Sequence, residues 1–199
     1  MIKNSEWGAV AYLSHSKYGT CENGTCKEVG INNTSGYKTG CGAAAGSSSS
    51  STCNAYNTTI GMLASTTGNI HGVYDMSGGA DEHIMANIVN TDGTTMIPSS
   101  SGYTTTTYPD VKYYDKYSYM TSETSFRNGS KLGDGIKEVY KYKSSNGWYS
   151  DHSSLVYSNS PWFTRGGRYV DGDNAGVFSS NSYVGTSNSN YSSRLVITP

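Results

Sequence analysis

Over its last forty residues the chain alternates a fixed frame with an interchangeable filling. The frame is Arg165-Gly166-Gly167, Ala175-Gly176-Val177-Phe178 and Ser193-Arg194-Leu195-Val196-Ile197, and the filling is Tyr, Asn, Ser, Asp and Gly. Ser160-Pro161-Trp162-Phe163-Thr164 running into Arg165 and paired glycines reads as a buried aromatic strand entering a tight turn, because glycine admits left-handed backbone. Leu195-Val196-Ile197 reads as a closing apolar strand that pairs in the central sheet. Between these anchors, Tyr offers wide amphipathic contact for two side-chain torsions, while Ser, Asn and Gly add adaptable hydrogen bonding. The pattern points to a recognition surface before it points to an active site.

The rest of the sequence agrees with that reading. At 199 residues the chain fits one domain, expected to span 1–199. Charged residues make up 15%, so solubility rests on neutral polar groups. A net charge of -1, with Lys and Arg scattered, leaves no electrostatic footprint for nucleic acid or an anionic membrane surface. No apolar run approaches the roughly 18–20 residues that span a bilayer, and no basic segment with a hydrophobic block follows Met1, so neither membrane insertion nor a signal peptide is expected. With 24 Gly, 18 Tyr and four Pro, short elements and few long helices are expected, an α+β chain with much irregular backbone.

All four cysteines, Cys21, Cys26, Cys41 and Cys53, fall in a segment rich in Gly, Ser, Asn and Thr. Cys21 and Cys26 flank Glu22-Asn23-Gly24-Thr25, and Asn-Gly is a strong tight-turn signal, so a disulfide-closed hairpin is expected there. Cys41 and Cys53 are then the second pair. A metal site would need Cys-x-x-Cys spacing or a histidine close in sequence, and neither occurs. Disulfides place the chain in an oxidising compartment, although four free structural thiols are the alternative.

Residues 4–17 carry the clearest helix signal: Asn4 as cap candidate, Glu6 in the first turn, Trp7, Val10, Ala11 and Ser14 on one face, Lys17 near the end and Gly19 beyond. Residues 20–58 read as loop with short hairpins, with Ser47 to Ser51 a flexible surface stretch. Gly68 to Ala80 reads as strand and turn, followed by a short ordered element through Asn90, and 91–109 as a long exposed loop. Lys131 to Val139 reads as a turn with one short helix or strand, and Gly147-Trp148-Tyr149-Ser150 as a buried aromatic strand.

Glu6-Trp7 in a helix, Gly72-Val73-Tyr74-Asp75-Met76-Ser77-Gly78, Arg165-Gly166-Gly167 and Ser193-Arg194-Leu195-Val196 stand in one order. Together they resemble the C-type-lectin-like fold of the formylglycine-generating-enzyme (sulfatase-modifying factor) type. Within that family, the stretch from Pro161 to Arg194 is most similar to variable proteins of diversity-generating retroelements, found in phages and bacteria. The resemblance implies that 160–197 is a variable ligand-binding region, diversified by substitution at adenines. It places Thr164, Arg168, Val170, Asp171, Asp173, Asn174, Ser179, Asn181, Tyr183, Val184, Thr186, Asn190 and Tyr191 on the ligand-facing surface. Tyr169, Tyr183 and Tyr191, set among Ser, Asn, Asp and Gly, are the expected aromatic contacts.

The chain departs from the family twice. Asp81-Glu82-His83 stands where Trp-Glu-Trp or Trp-Glu-Tyr is usual, so two aromatic positions are polar. The family's opening strand and first helix, which precede the Glu-Trp helix, are expected to be missing.

Chemical readings fare less well than recognition. Oxidases of the resembled family need two cysteines near the C-terminal motif, and this chain has none after Cys53. There is no Gly-x-Ser-x-Gly, and His15, His71, His83 and His152 have no recognisable partner spacing, so each is expected at the surface or half-buried. Asp171-Gly172-Asp173-Asn174 begins like a calcium loop, with Gly176 at the sixth position, but the twelfth is Ser182 rather than an acid. The calcium-binding motifs of sugar-binding C-type lectins do not occur.

Trp7, Trp148, Trp162, Phe163 and Phe178 are expected in the core, and Arg165 and Arg194 as frame residues bonded to carbonyls or carboxylates. The sequence thus predicts a non-catalytic, cofactor-free protein whose partner is a protein or cell-surface ligand. The expected location is extracellular, on a cell surface or on a virion. The competing class is a structural or adhesive surface protein, such as a tail-fibre tip, in which the same region makes subunit contacts.

Overall fold

Helix α1 covers Asn4–Ser14 and buries the face carrying Trp7, Ala11 and Ser14, the i, i+4, i+7 stripe of an amphipathic helix. The computed structural model describes residues 1–36, 38, 40–92, 94, 96, 110–119, 131–139, 147–154 and 156–197. Asn4 is not the cap. It is helical and fully buried, and the first turn is held by the Lys3 amide donating to Glu6 Oε2 at 2.8 Å and the Ser5 amide donating to Asp115 Oδ2 at 2.8 Å. The helix stops short of Lys17 because the amide and hydroxyl of Thr20 take the Ser14 carbonyl at 2.7 and 3.0 Å.

Next comes the cysteine hairpin. Strands β1 (Cys21–Glu22) and β2 (Thr25–Cys26) pair antiparallel. Asn23 and Gly24, at φ 51° and 79°, make the connection, as a two-residue turn with both central residues left-handed requires. Strands β3 (Cys41–Gly42) and β4 (Asn54–Ala55) form a second small antiparallel pair. Both expected disulfides are present, Cys21–Cys26 and Cys41–Cys53.

The main sheet is built on β5 (Asp81–Ile88) and β7 (Trp162–Gly166), with β8 (Gly176–Tyr183) antiparallel on the far side of β7. The other edge of β5 is covered piecewise. Strand β9 (Tyr191–Ser192) pairs parallel with Asp81 and Glu82, Met85 donates to the Ile2 carbonyl at 2.8 Å, and β6 (Asp115–Tyr117) pairs parallel with Ala86 to Ile88. Beside β8, Ser180 exchanges backbone bonds with His152 and Ser154 at 2.9 and 3.0 Å. One sheet face packs Ile84, Ala86, Ile88, Phe163 and Phe178 against Trp7, Met76, Ile136 and Val139.

The architecture is therefore mixed α+β, with one α-helix among the described residues, small sheets and much loop. Four expectations about segments need correction. Residues 68–80 form turns and bends instead of a strand, because Asp75, Gly78 and Gly79 sit at φ 62°, 75° and 71°, outside the extended region. Residues 131–139 form turns only.

Trp148–Ser150 is a short 3-10 turn, with Tyr149 and Ser150 at φ 59° and 77°. The closing strand is Tyr191–Ser192, not 195–197. Arg194 is anchored below the sheet edge, and the chain beyond it leaves the sheet, with Leu195 82% and Ile197 93% exposed. The loop expected at 91–109 lies largely outside the described residues.

Candidate functional site

Two arginines and a tryptophan fix the backbone beneath the C-terminal face. Arg165, at the end of β7, is fully buried, and its guanidinium donates to Asn4 Oδ1 at 2.9 Å and to the carbonyls of Asp134 at 3.0 Å and Val177 at 3.3 Å. Burial lowers its pKa to about 10, against the nearby Asp134 charge that favours the cation. Trp7 Nε1 donates to the Val177 carbonyl at 2.7 Å. Arg194 forks onto the Glu82 carboxylate and also donates to the carbonyls of Tyr74 at 3.2 Å and Asp75 at 2.8 Å. Both arginines play the frame role the sequence implies.

The opposite face of the same sheet follows from the period of two. Phe163 and Arg165 point into the core, so Trp162 and Thr164 point the other way. In register with Thr164 stand His83 on β5 and Asn181 on β8, while Tyr183 pairs with Trp162 and Tyr191 with Asp81. Ser179, Asn181, Tyr183 and Tyr191 therefore share one face with Asp81 and His83. Three rings cluster there: Tyr183 and Tyr191 at 4.2 Å between centroids, and His83 at 5.4 and 5.1 Å from them.

Beside the rings lies a recess of about 270 Å³ lined by Asp81, His152, Gly167, Arg168, Asp171, Asn174, Ser179, Asn181 and Tyr191. Gly167, at φ 71°, turns the chain from β7 into the loop that carries Arg168 and Asp171. Arg168 grips Asp171 through its amide and its guanidinium, both at 2.8 Å, which fixes the rim. Asp81, the first residue of β5, is pushed up to about 7 by burial and by the Asp171 charge, against Arg168. Burial, with Asp81 and Tyr183 adding, raises the Tyr191 hydroxyl to about 12. His83 and His152 are both lowered by burial, so their rings favour the neutral form. The recess can accept and donate hydrogen bonds next to a stacking platform, and its carboxyl at Asp81 is poised to ionise near neutral pH.

The residues proposed from sequence divide in their placement. Arg168, Asp171, Asn174, Ser179, Asn181 and Tyr191 line the recess, and Tyr183 joins the ring cluster beside it. Thr164 is 1% exposed and Ser179 3%, so neither is a free contact on an open surface. Thr164 sits in the middle strand between His83 and Asn181, and Ser179 is on the floor. Val170 is exposed on the loop, and Tyr169 is half-buried with its amide bonded to the Gly79 carbonyl at 2.8 Å. Val184, Thr186 and Asn190 are half-buried beyond β8, Thr186 reaching the Tyr183 hydroxyl at 3.2 Å.

Asp173 stands apart. Its carboxylate lies against Gly46 beside the serine-rich stretch, and it does not line the recess. Of the core aromatics, Trp7, Trp162, Phe163 and Phe178 are buried, and Trp148 only partly.

Sequence reasoning missed Asp81, His83 and His152. The signal was present in Asp81 to Ile88, where Ile84, Ala86 and Ile88 alternate with His83 and Met85. The polar pair at Asp81 and His83 reads as a departure until that alternation places both on the outward face. No family model matches the chain, and comparison with curated proteins and with solved structures gives no match.

Proposed function

We propose that this chain is a non-catalytic recognition protein of the C-type-lectin-like, formylglycine-generating-enzyme type, related to the variable proteins of diversity-generating retroelements. Its outward sheet face binds a protein or another ligand on a cell surface, and the protein works outside the cell or on a virion. The observation that carries this reading is the gathering of Arg168, Asp171, Asn174, Asn181 and Tyr191, which the resemblance placed on the ligand-facing surface, around one recess beside the Tyr183–Tyr191–His83 rings. A frame made rigid by Arg165, Trp7 and Arg194 keeps the ordering entropy of binding small while outward side chains change. Two disulfides suit an oxidising environment, and among the described residues no helix is long and apolar enough to cross a membrane.

The test is to sequence many copies of the locus and to measure binding of the protein to a panel of bacterial cells. The proposal expects substitutions concentrated at codons for the outward positions. It also expects cell binding that Tyr183→Ala and Asn181→Ala reduce without loss of folding. An oligomer that buries Tyr183 and Tyr191 independently of concentration would instead favour the structural or adhesive role. Oxygen uptake with a thiol peptide would overturn the non-catalytic reading.

A further inference from the structure

Away from the recess, the end of α1 and the cysteine hairpin bring together a second group of side chains. A ligand nitrogen of His15 and the sulfurs of Cys21 and Cys26 all lie within 4.8 Å of one another, each residue half-buried. His15 is the residue at which α1 ends, and the Asn23-Gly24 turn folds Cys26 back opposite Cys21. A zinc ion with bonds of about 2.0–2.3 Å holds tetrahedral ligands roughly 3.5 Å apart, so once the sulfur–sulfur bond is broken the two sulfurs must part to that spacing, while the imidazole nitrogen already lies within 4.8 Å of both.

The surroundings suit such an ion. His15, Cys26 and Glu28 line one open cavity of about 750 Å³, so a fourth ligand, carboxylate or water, has room. The His15 ring is held by Tyr149, whose hydroxyl is 2.7 Å from Nδ1, and by Trp148 at 5.0 Å between centroids. An outer partner on one ring nitrogen is the contact that orients metal-bound histidines. Tyr149 reaches that position from a left-handed backbone at φ 59°, a conformation that costs free energy and concentrates at functional sites.

We infer that His15, Cys21 and Cys26 form a redox-gated site for a thiophilic divalent cation, closed while the hairpin disulfide is intact and opened by its reduction. As a disulfide the two sulfurs carry no thiolate charge. A dithiol reductant gives two electrons and two protons: the sulfur–sulfur bond breaks, two thiols form, and the reductant closes to its own disulfide. Zinc then displaces both thiol protons to solvent and is held by two thiolates and the imidazole.

The experiment uses the full chain and zinc itself, with cobalt(II) as a spectroscopic probe. Oxidised protein should bind no zinc, and dithiol-reduced protein one ion per chain, with a thiolate-to-cobalt charge-transfer band. His15→Ala keeps both thiols and should weaken binding by roughly tenfold or more. Cys21→Ser should abolish the band. A double Cys41→Ala, Cys53→Ala variant should keep it; if that variant does not fold, Cys21→Ser alone decides between the two pairs. Reduced protein without zinc, unchanged affinity in His15→Ala, or a band that survives Cys21→Ser would each overturn the site.

Discussion

Arg194 reaches back across 112 positions to grip Glu82 with both arms of its guanidinium. The side chain of Glu82 is only 5% exposed, and that of Arg194 20%, so the pair is largely withdrawn from water. Burial raises the Glu82 carboxyl above its usual range, and Arg194 offsets that only in part. The contact ties the C-terminal stretch to the first residues of β5, under the face that carries Tyr191.

Removing one partner should therefore cost far more than the pair contributes net. Arg194→Ala is expected to destabilise by about 3 kcal/mol, because it leaves a buried carboxylate unpaired. The double variant Arg194→Met, Glu82→Gln should recover much of that loss. Urea midpoints of the two variants and of the parent measure it.

The turn out of β7 permits no side chain at Gly167. Its φ is 71°, and a Cβ there would lie 2.8 Å from Ala175 Cα. Gly167→Ala should cost at least about 1–2 kcal/mol from the left-handed backbone alone. The same substitution at Gly172, which is also left-handed but has open space around it, should cost only the backbone share. Thermal unfolding of the two variants side by side separates strain from collision.

Tolerance should map onto exposure. Val170→Ser is expected to stay within about 0.5 kcal/mol of the parent, as exposed loop changes usually do. Thr164→Tyr, at a position 1% exposed, should cost about 1–3 kcal/mol through overpacking. If Thr164 accepted large residues as readily as Val170, the placement of the outward face would need revision. Chemical denaturation of a small library at both positions is enough.

A pair of acids predicts the pH dependence. Asp151 is buried and accepts the Phe178 amide N–H at 2.9 Å; burial and the neighbouring Glu28 raise it well above the usual range. Glu28 is itself raised to about 7 by burial. A carboxyl whose folded pKa lies above its unfolded one binds more protons folded, so stability falls as pH rises from about 4.5 to about 7. Asp81 acts in the same sense over nearly the same window. Glu28→Gln should flatten the decline without abolishing it. Melting temperatures between pH 4 and 8 check both the sign and the remainder.

How much of this was legible in the chain depends on whether the cause was local. The burial of Trp7, Ala11 and Ser14 on α1 and the hairpin at Asn23-Gly24 follow from spacing and turn chemistry, so they read directly. The roles of Arg165 and Arg194 also read from the chain. The location of the closing strand did not. Leu195-Val196-Ile197 has the better strand composition, but Tyr191 and Ser192 find the free edge of β5 because Arg194 is committed to Glu82. Asp81 and His83 belong to the site only through register with Tyr191 and Thr164, a relationship between segments that no single segment contains.

The piecewise cover along β5, with β9, Ile2 and β6 end to end, limits how anything can attach there. A visiting peptide finds the main-chain hydrogen-bonding groups of that strand already engaged, so docking by strand addition is closed along it. A ligand on the outward face beside β5 would have to be gripped by side chains, which is the part of a protein that can be exchanged without rebuilding the rest.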